Sequence, residues 1–203
     1  MLSAPGVKTT LFLSSFVTSF LLGSYLTLRT TLPGQCAKPE LVSNWDPDAY
    51  LGVWYELQRD TTIMFETGEC VTAEYTLNDN GSIKVTNTEF FGYYDGSSEY
   101  GQVSFPGWIN NWYPGLLSIA DYSVVDSDYT SYAIVYSCVD VLGIAPFEYA
   151  WVLVRDQIED GSAAFNSMLD TVSVVFASKL PDYDYQNRLQ TTQQGTGCTY
   201  YTN

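Results

Sequence analysis

The sequence contains no histidine and little positive charge. Its 203 residues include 8 Lys and Arg against 23 Asp and Glu, a formal net charge of −15. Histidine is the usual general base, the commonest zinc ligand and a frequent axial ligand of haem, so its absence argues against most catalytic, zinc and haem sites. An acidic surface repels nucleic acid and anionic membranes and favours solubility, with an acidic docking face as the alternative. We expect no catalytic residue, no metal site and no nucleic-acid partner.

Charge is missing altogether from one long stretch near the N-terminus. Lys8 precedes an uncharged segment, Thr9 to Leu28, with an apolar centre, which is typical of a secretory signal peptide. We expect a signal peptide over residues 1–24, cleaved between about residues 23 and 35, and a single domain over residues 36–203. A signal anchor is the alternative, because this segment could just span a bilayer. With cleavage, the protein is secreted and has no membrane span.

Cysteine is scarce, and its pattern is informative. The 4 cysteines are widely spaced, with no CxxC pair: Cys36, Cys70, Cys138 and Cys198. An even number of cysteines in a secreted chain indicates two disulfides, for which three connectivities are open.

The residues that are abundant favour strands. Aromatic residues make up 16% of the chain, and there are 17 Tyr and 15 Gly, a composition that suits half-buried strands and tight turns. Short β-type runs follow one another between turn residues, with short connections, as in an up-and-down meander. The eight runs are Val53–Gln58, Cys70–Leu77, Ser82–Phe91, Glu99–Phe105, Leu116–Ile119, Tyr122–Val125, Tyr132–Val139 and Glu148–Val154.

Two local patterns add detail to this meander. Asn80-Gly81 lies between two alternating runs and predicts a two-residue hairpin turn. Asn80 also begins a glycosylation sequon. Apolar residues at three- and four-residue spacing then predict one helix over Ala163–Lys179, which Pro181 ends. A lone amphipathic helix after an all-β meander is expected to pack on the outside of the sheet.

Three motifs, in order, resemble those of the lipocalin family. Gly52-Val53-Trp54-Tyr55-Glu56 resembles the family's opening Gly-x-Trp-Tyr-Glu. Ser127-Asp128-Tyr129 is similar to its Thr-Asp-Tyr motif, with Ser in place of Thr, and Arg155 resembles the arginine that ends its last barrel strand. The resemblance is strongest to apolipoprotein D and the related bilin-binding lipocalins, although the region from Gly92 to Pro114 departs from that pattern.

The resemblance implies a fold and several structural roles. It implies an eight-stranded antiparallel up-and-down β-barrel, or calyx, with the helix packed outside and two disulfides. The implied disulfide pairs are Cys36 with Cys138 and Cys70 with Cys198. Trp54 is expected to plug the closed end of the barrel beneath the guanidinium of Arg155, a cation–π contact. Gly52, Asp128 and Tyr129 then serve the same structural framework.

Strand alternation extends these implied roles to the barrel lining. Arg155 must point inward to reach Trp54, whereas Cys138 must point outward to meet a segment outside the barrel, and alternate residues follow each. Positions of the family's pocket fall on Tyr75 and Asn87, and the same alternation adds their neighbours, including Ala73. The predicted ligand-binding residues are Tyr75, Val85, Asn87, Glu89, Phe91, Ala133, Val135, Ser137, Tyr149, Trp151 and Leu153.

The implied function is extracellular binding and transport of a small hydrophobic molecule such as a retinoid, sterol, fatty acid, carotenoid or bilin. No cofactor is required, and the first alternative is a chromoprotein that holds a bilin or carotenoid without a covalent bond. Catalysis is not expected, because the lipocalin branch that isomerises prostaglandin uses an unpaired cysteine. A further alternative is a protein-interaction or signalling role, with a receptor or a second copy of the chain contacting the loop that carries Trp108 and Trp112.

Overall fold

The structure, a computed structural model, describes residues 36–79, 83–94, 97–107, 121–141 and 145–200. The predicted signal peptide, the Asn80 sequon, the strand over Leu116–Ile119 and the Trp108 and Trp112 loop lie wholly or partly outside these ranges. The elements are α1 (Pro47–Tyr50), β1 (Gly52–Asp60), β2 (Glu69–Leu77), β3 (Ile83–Tyr94), β4 (Ser97–Gly107), β5 (Asp121–Ser127), β6 (Tyr132–Val141), β7 (Ala145–Val154), α2 (Ala163–Lys179), α3 (Tyr185–Arg188), β8 (Leu189–Thr191) and a 3₁₀ turn (Gly195–Gly197).

The strands form one antiparallel sheet of meander type. Its order is β4-β3-β2-β1-β7-β6-β5, and β8 pairs with β1 beside this path. Because β1 pairs with both β2 and β7, the first strand and the last long strand are neighbours. Within the described ranges the path ends at β4 and β5, and residues 108–120 between them are outside those ranges. The predicted all-β meander is confirmed.

Strands β2 and β3 pair as the antiparallel neighbours that the sequence predicts. Leu77 pairs with Ile83, and Tyr75 pairs with Val85. The predicted turn at Asn80-Gly81 lies between these paired positions, outside the described residues. Tyr75 and Val85 still share one face of the sheet, because residues that pair directly point the same way.

The two faces of the sheet bury different apolar clusters. The inner face carries a cluster from six strands and α1: Tyr50, Trp54, Ala73, Tyr75, Ile83, Val85, Val124, Ala133, Val135 and Leu153. The outer face packs against α2 through Ile134, Tyr136 and Val152, which meet Val172 and Phe176 of the helix. Helix α2 has the predicted bounds, and its N-cap Ser162 accepts a hydrogen bond from the backbone N–H of Phe165.

Two disulfides tie both ends of the described chain to the sheet. Cys36 is bonded to Cys138 on β6, and Cys70 on β2 is bonded to Cys198, the pairs that the family resemblance implies. All four cysteines are therefore paired. In the described ranges, none of the helices is long and apolar enough to cross a membrane.

Candidate ligand-binding site

The site is the inner face of the sheet, and alternation along the strands decides which side chains reach it. On β6, Ala133 and Val135 join the inner cluster while Ile134 and Tyr136 join the outer one. On β7, Leu153 is buried inward and Trp151 packs against the inner cluster with part of its surface exposed. Most of the predicted lining residues are therefore together on one face: Tyr75, Val85, Ala133, Val135, Trp151 and Leu153.

One end of the inner face is closed by Trp54 and Arg155. Trp54 is 0% exposed, and the guanidinium carbon of Arg155 lies 3.6 Å from the centre of its ring. The guanidinium also donates to four backbone carbonyls at its Nη atoms, those of Ala49, Tyr50, Leu51 and Val53. Gly52 has φ +94°, a backbone conformation that residues with a side chain rarely adopt, so this motif position favours glycine.

The Asp128-Tyr129 turn supports the same closed end. Asp128 Oδ1 accepts hydrogen bonds from three successive backbone N–H groups, at Thr130, Ser131 and Tyr132. This arrangement holds Tyr129 at φ +65°, where its carbonyl accepts from Arg155 Nε at 3.0 Å. The motif residues thus lie together around Trp54 at this end of the inner face.

Three tyrosines form the floor of the inner face above Trp54. The hydroxyl groups of Tyr75 and Tyr122 are hydrogen bonded, and the Tyr50 hydroxyl lies 3.4 Å from that of Tyr122. Burial raises the pKa of Tyr50 to about 12 and raises the pKa values of Tyr75 and Tyr122 well above the ordinary value, so all three hydroxyls stay neutral. Tyr75 is 2% exposed, and its hydroxyl has a hydrogen-bond partner within the floor.

At the other end of the inner face, the connection between β1 and β2 places a carboxylate among the predicted lining residues. Glu66 accepts a hydrogen bond from Trp151 Nε1 at 2.8 Å and one from Asn87 Nδ2 at 2.5 Å. Glu89, on β3, accepts from the backbone N–H of Gly68 at 2.5 Å. Gly68 allows this close approach, because a Cβ there would lie 2.9 Å from Glu89 Oε2. These hydrogen bonds join β3 and β7 to the β1–β2 connection, and we call this region, formed around Glu66, Asn87 and Glu89, the polar end.

Two further charged residues of β1 complete the polar end. Glu56 is 2% exposed and Arg59 is 3% exposed, and they form an ion pair at 2.8 Å. Burial, together with the negative charge of Glu66, outweighs the attraction of Arg59 and raises the pKa of Glu56 to about 7. Burial also raises the pKa of Glu66. The inner face thus has a neutral aromatic floor and an acidic far end.

Three predicted lining residues differ in their surroundings. Phe91 is 50% exposed beside a register shift at Phe90 and Gly92, so it does not join the inner cluster. Tyr149 is partly exposed, with its ring 6.1 Å from that of Trp151. Ser137 is 5% exposed and pairs with Tyr149 across β6 and β7.

Sequence reasoning missed Glu56, Arg59 and Glu66. Glu56 could have been found, because it lies two residues after Trp54 on the same strand and must share its face. Arg59 could not, because a register shift between Glu56 and Gln58 reverses the alternation that follows. Glu66 lies in a connection with no periodic pattern.

Fold and site together define a class of protein. An antiparallel meander whose first and last long strands pair, with an aromatic inner face and a helix against the outer one, is the architecture of a small-ligand-binding calyx. Within the described ranges, no group of three or more acidic or cysteine side chains is arranged to hold a metal ion.

Comparison with known proteins identifies the family. The lipocalin / cytosolic fatty-acid binding protein family matches residues 51–175, and apolipoprotein D of Macaca fascicularis is 35% identical over 129 residues, which are 61% of this chain and 68% of that protein. The chain belongs to this family, and within it to the apolipoprotein D-like branch. At the level of the family, its function is therefore the binding of small hydrophobic ligands.

Solved structures agree on the fold. Lobster apocrustacyanin A1 superposes with a TM-score of 0.60 at 20% identity, covering 82% of this chain and 92% of that one. Insecticyanin of the tobacco hornworm Manduca sexta gives a TM-score of 0.56 at 18% identity, with coverage of 82% and 89%. The lipocalin fold expected from the sequence motifs is confirmed.

Proposed function

We propose that this protein is a secreted, non-enzymatic carrier that holds one small hydrophobic molecule against the inner face of its sheet. The observation that carries the proposal is Trp151. Its indole packs against the inner cluster, yet part of it stays exposed, whereas Leu153, Ala133 and Val135 beside it are almost completely buried. An aromatic ring left partly uncovered among buried neighbours offers an apolar contact for a bound molecule.

The surroundings of Trp151 suit a flat or elongated apolar molecule. Tyr149 extends the aromatic wall on one side, and the Tyr50, Tyr75 and Tyr122 floor keeps its hydroxyl groups neutral. Burial of roughly 400 Å² of apolar ligand surface at about 25 cal/mol/Å² gives about 10 kcal/mol, or a dissociation constant of roughly 50 nM, before the lost freedom of the ligand is subtracted. That subtraction weakens the expected affinity to the micromolar range. Retinoids, sterols, carotenoids and bilins have such shapes.

Two features support the extracellular and non-enzymatic parts of the proposal. Both disulfides suit an oxidising compartment. The sequence lacks histidine and all cysteines are paired, so neither the usual general base nor a thiol nucleophile is present. A pigment, if that is the cargo, would be held without a thioether bond, and no cofactor is needed for binding itself.

Titration with all-trans-retinol tests the site, with retinol's own emission as the readout. We expect saturable binding to the wild-type protein and its loss in Trp151→Glu, because a charge on the inner face opposes an apolar ligand. Val174→Glu is the matched control, since Val174 is 68% exposed on α2. Unaltered binding by Trp151→Glu would refute the site, and absence of binding by the wild-type protein to a panel of retinol, a sterol, a carotenoid and a bilin would refute the function.

A further inference from the structure

The polar end of the inner face contains three buried carboxyl groups. Glu56, Glu66 and Glu89 are 2%, 5% and 8% exposed. They belong to β1, to the β1–β2 connection and to β3, so the fold brings together residues that are distant in the sequence. Glu66 contacts Trp151 and Asn87, and Asn87 belongs to the predicted ligand lining with Glu89.

Positive charge does not balance these groups. Arg59 forms its ion pair with Glu56 and donates to the backbone carbonyl of Gly68 at 2.9 Å. The described ranges contain five other cations, and all lie elsewhere: Arg155 stacks on Trp54, Lys179 pairs with Asp126, Arg188 pairs with Asp60 and Glu148, and Lys38 and Lys84 are exposed. One arginine thus lies near three carboxyl groups, and two of them, Glu66 and Glu89, form no ion pair in the described part of the chain.

Two polar atoms at this end lack a partner. Asn87 Oδ1 is a buried acceptor and Arg59 Nε is a buried donor, and neither makes a hydrogen bond within the described structure. Arg59 is 3% exposed, so water reaches it poorly. Buried polar groups are normally satisfied. A ligand group that both donates and accepts, such as a hydroxyl, could satisfy either atom, whereas a carboxylate could only accept.

We propose that the calyx selects hydrophobic molecules whose polar end donates hydrogen bonds, such as an alcohol, an amine or an N–H group, and discriminates against carboxylates such as fatty acids and retinoic acid. This inference rests on the proposed function and assigns it a ligand class. A ligand carboxylate would bring a further negative charge beside Glu66 and Glu89 in a site of low dielectric, where like charges repel strongly. A hydroxyl instead gains a charge-assisted hydrogen bond.

The test uses ligands that share one hydrocarbon and differ only in the head group. Affinities for all-trans-retinol, retinylamine and retinoic acid are measured at pH 8 with the disulfide-intact protein. We expect retinol and retinylamine to bind at least about tenfold more tightly than retinoic acid. Equal or tighter binding of retinoic acid would overturn the inference while leaving the carrier function in place, whereas failure of all three, and of the wider ligand panel, to bind would remove the carrier function as well.

Two variants test whether the carboxyl groups cause the preference. Glu66→Gln and Glu89→Gln should each reduce the preference for retinol over retinoic acid about tenfold, because each removes a carboxylate that repels the acid and accepts from the hydroxyl, while Glu40→Gln, at an exposed position, should leave the ratio of the two affinities unchanged. Near-ultraviolet circular dichroism checks that each variant is folded. Because the two substitutions lie on different elements, either one alone tests whether the carboxyl groups cause the preference for retinol over retinoic acid. The preference itself is measured with the wild-type protein and does not depend on the variants being folded. An unchanged ratio in a folded variant would contradict the assignment.

Discussion

The buried carboxyl group of Glu56 predicts an unusual pH dependence of stability. In the folded protein its pKa is raised from 4.5 to about 7, because it is buried and close to Glu66. The folded state therefore keeps the proton up to about pH 7, whereas the unfolded chain loses it near pH 4.5. The contribution of Glu56 to the free energy of unfolding should therefore be greatest below about pH 4.5 and should fall as the pH rises to about 7.

The magnitude follows from the same pKa values. At about 1.4 kcal/mol per tenfold change in proton concentration, the rise from 4.5 to about 7 corresponds to about 3 kcal/mol of lost stability. This is a large part of the roughly 5–15 kcal/mol that stabilises a typical domain. Glu66 adds to the loss in the same direction, because burial raises its pKa too.

Urea unfolding monitored by tryptophan fluorescence, with the disulfides intact, measures this effect at pH 5 and pH 8. The wild-type protein should lose about 2–3 kcal/mol over this range through Glu56, and Glu56→Gln should lose clearly less because its amide does not titrate. Glu40→Gln, which alters an exposed carboxyl group, should behave as the wild type. An identical loss in Glu56→Gln and wild type would refute the reasoning.

The remaining predictions concern the framework of the calyx, and urea unfolding at one pH checks them all. Arg155→Lys should destabilise the protein by roughly 2–4 kcal/mol, because lysine cannot keep the carbonyl contacts and the stacking on Trp54. A decrease in the free energy of unfolding below about 0.5 kcal/mol would contradict this. Gly52→Ala should cost about 1–2 kcal/mol, since φ is +94° there, and no change would show that the turn relaxes. Val172→Ala, on the buried side of α2, should destabilise the protein by about 1–3 kcal/mol, whereas Val174→Ala, at an exposed position of the same helix, should change its stability by less than about 0.5 kcal/mol. Equal effects would contradict the described packing.

Regular alternation made most of the fold predictable from the sequence. The inward set on β6 and β7 follows from one inward residue, Arg155, and one outward residue, Cys138, because successive side chains alternate. Helix α2 has the bounds that its apolar spacing predicts, and Pro181 follows it.

What could not be predicted depends on departures from alternation and on unpatterned segments. The register shift in β1 turns Arg59 inward, so regular alternation from Trp54 does not reach it. Strand β8 lies in a polar tail and is defined by its pairing with β1. The acidic end of the site depends on Glu66, whose position is set by contacts with Trp151 and Asn87 rather than by its own neighbours in the sequence.

Native mass spectrometry of the protein purified from its source organism tests the central claim most directly. We expect a folded protein carrying one non-covalently bound small molecule, which organic extraction releases as a hydrophobic compound. Disulfide-intact protein that carries no such molecule, and that takes none up when incubated with the ligand panel, would contradict the claim that the inner face is a ligand site.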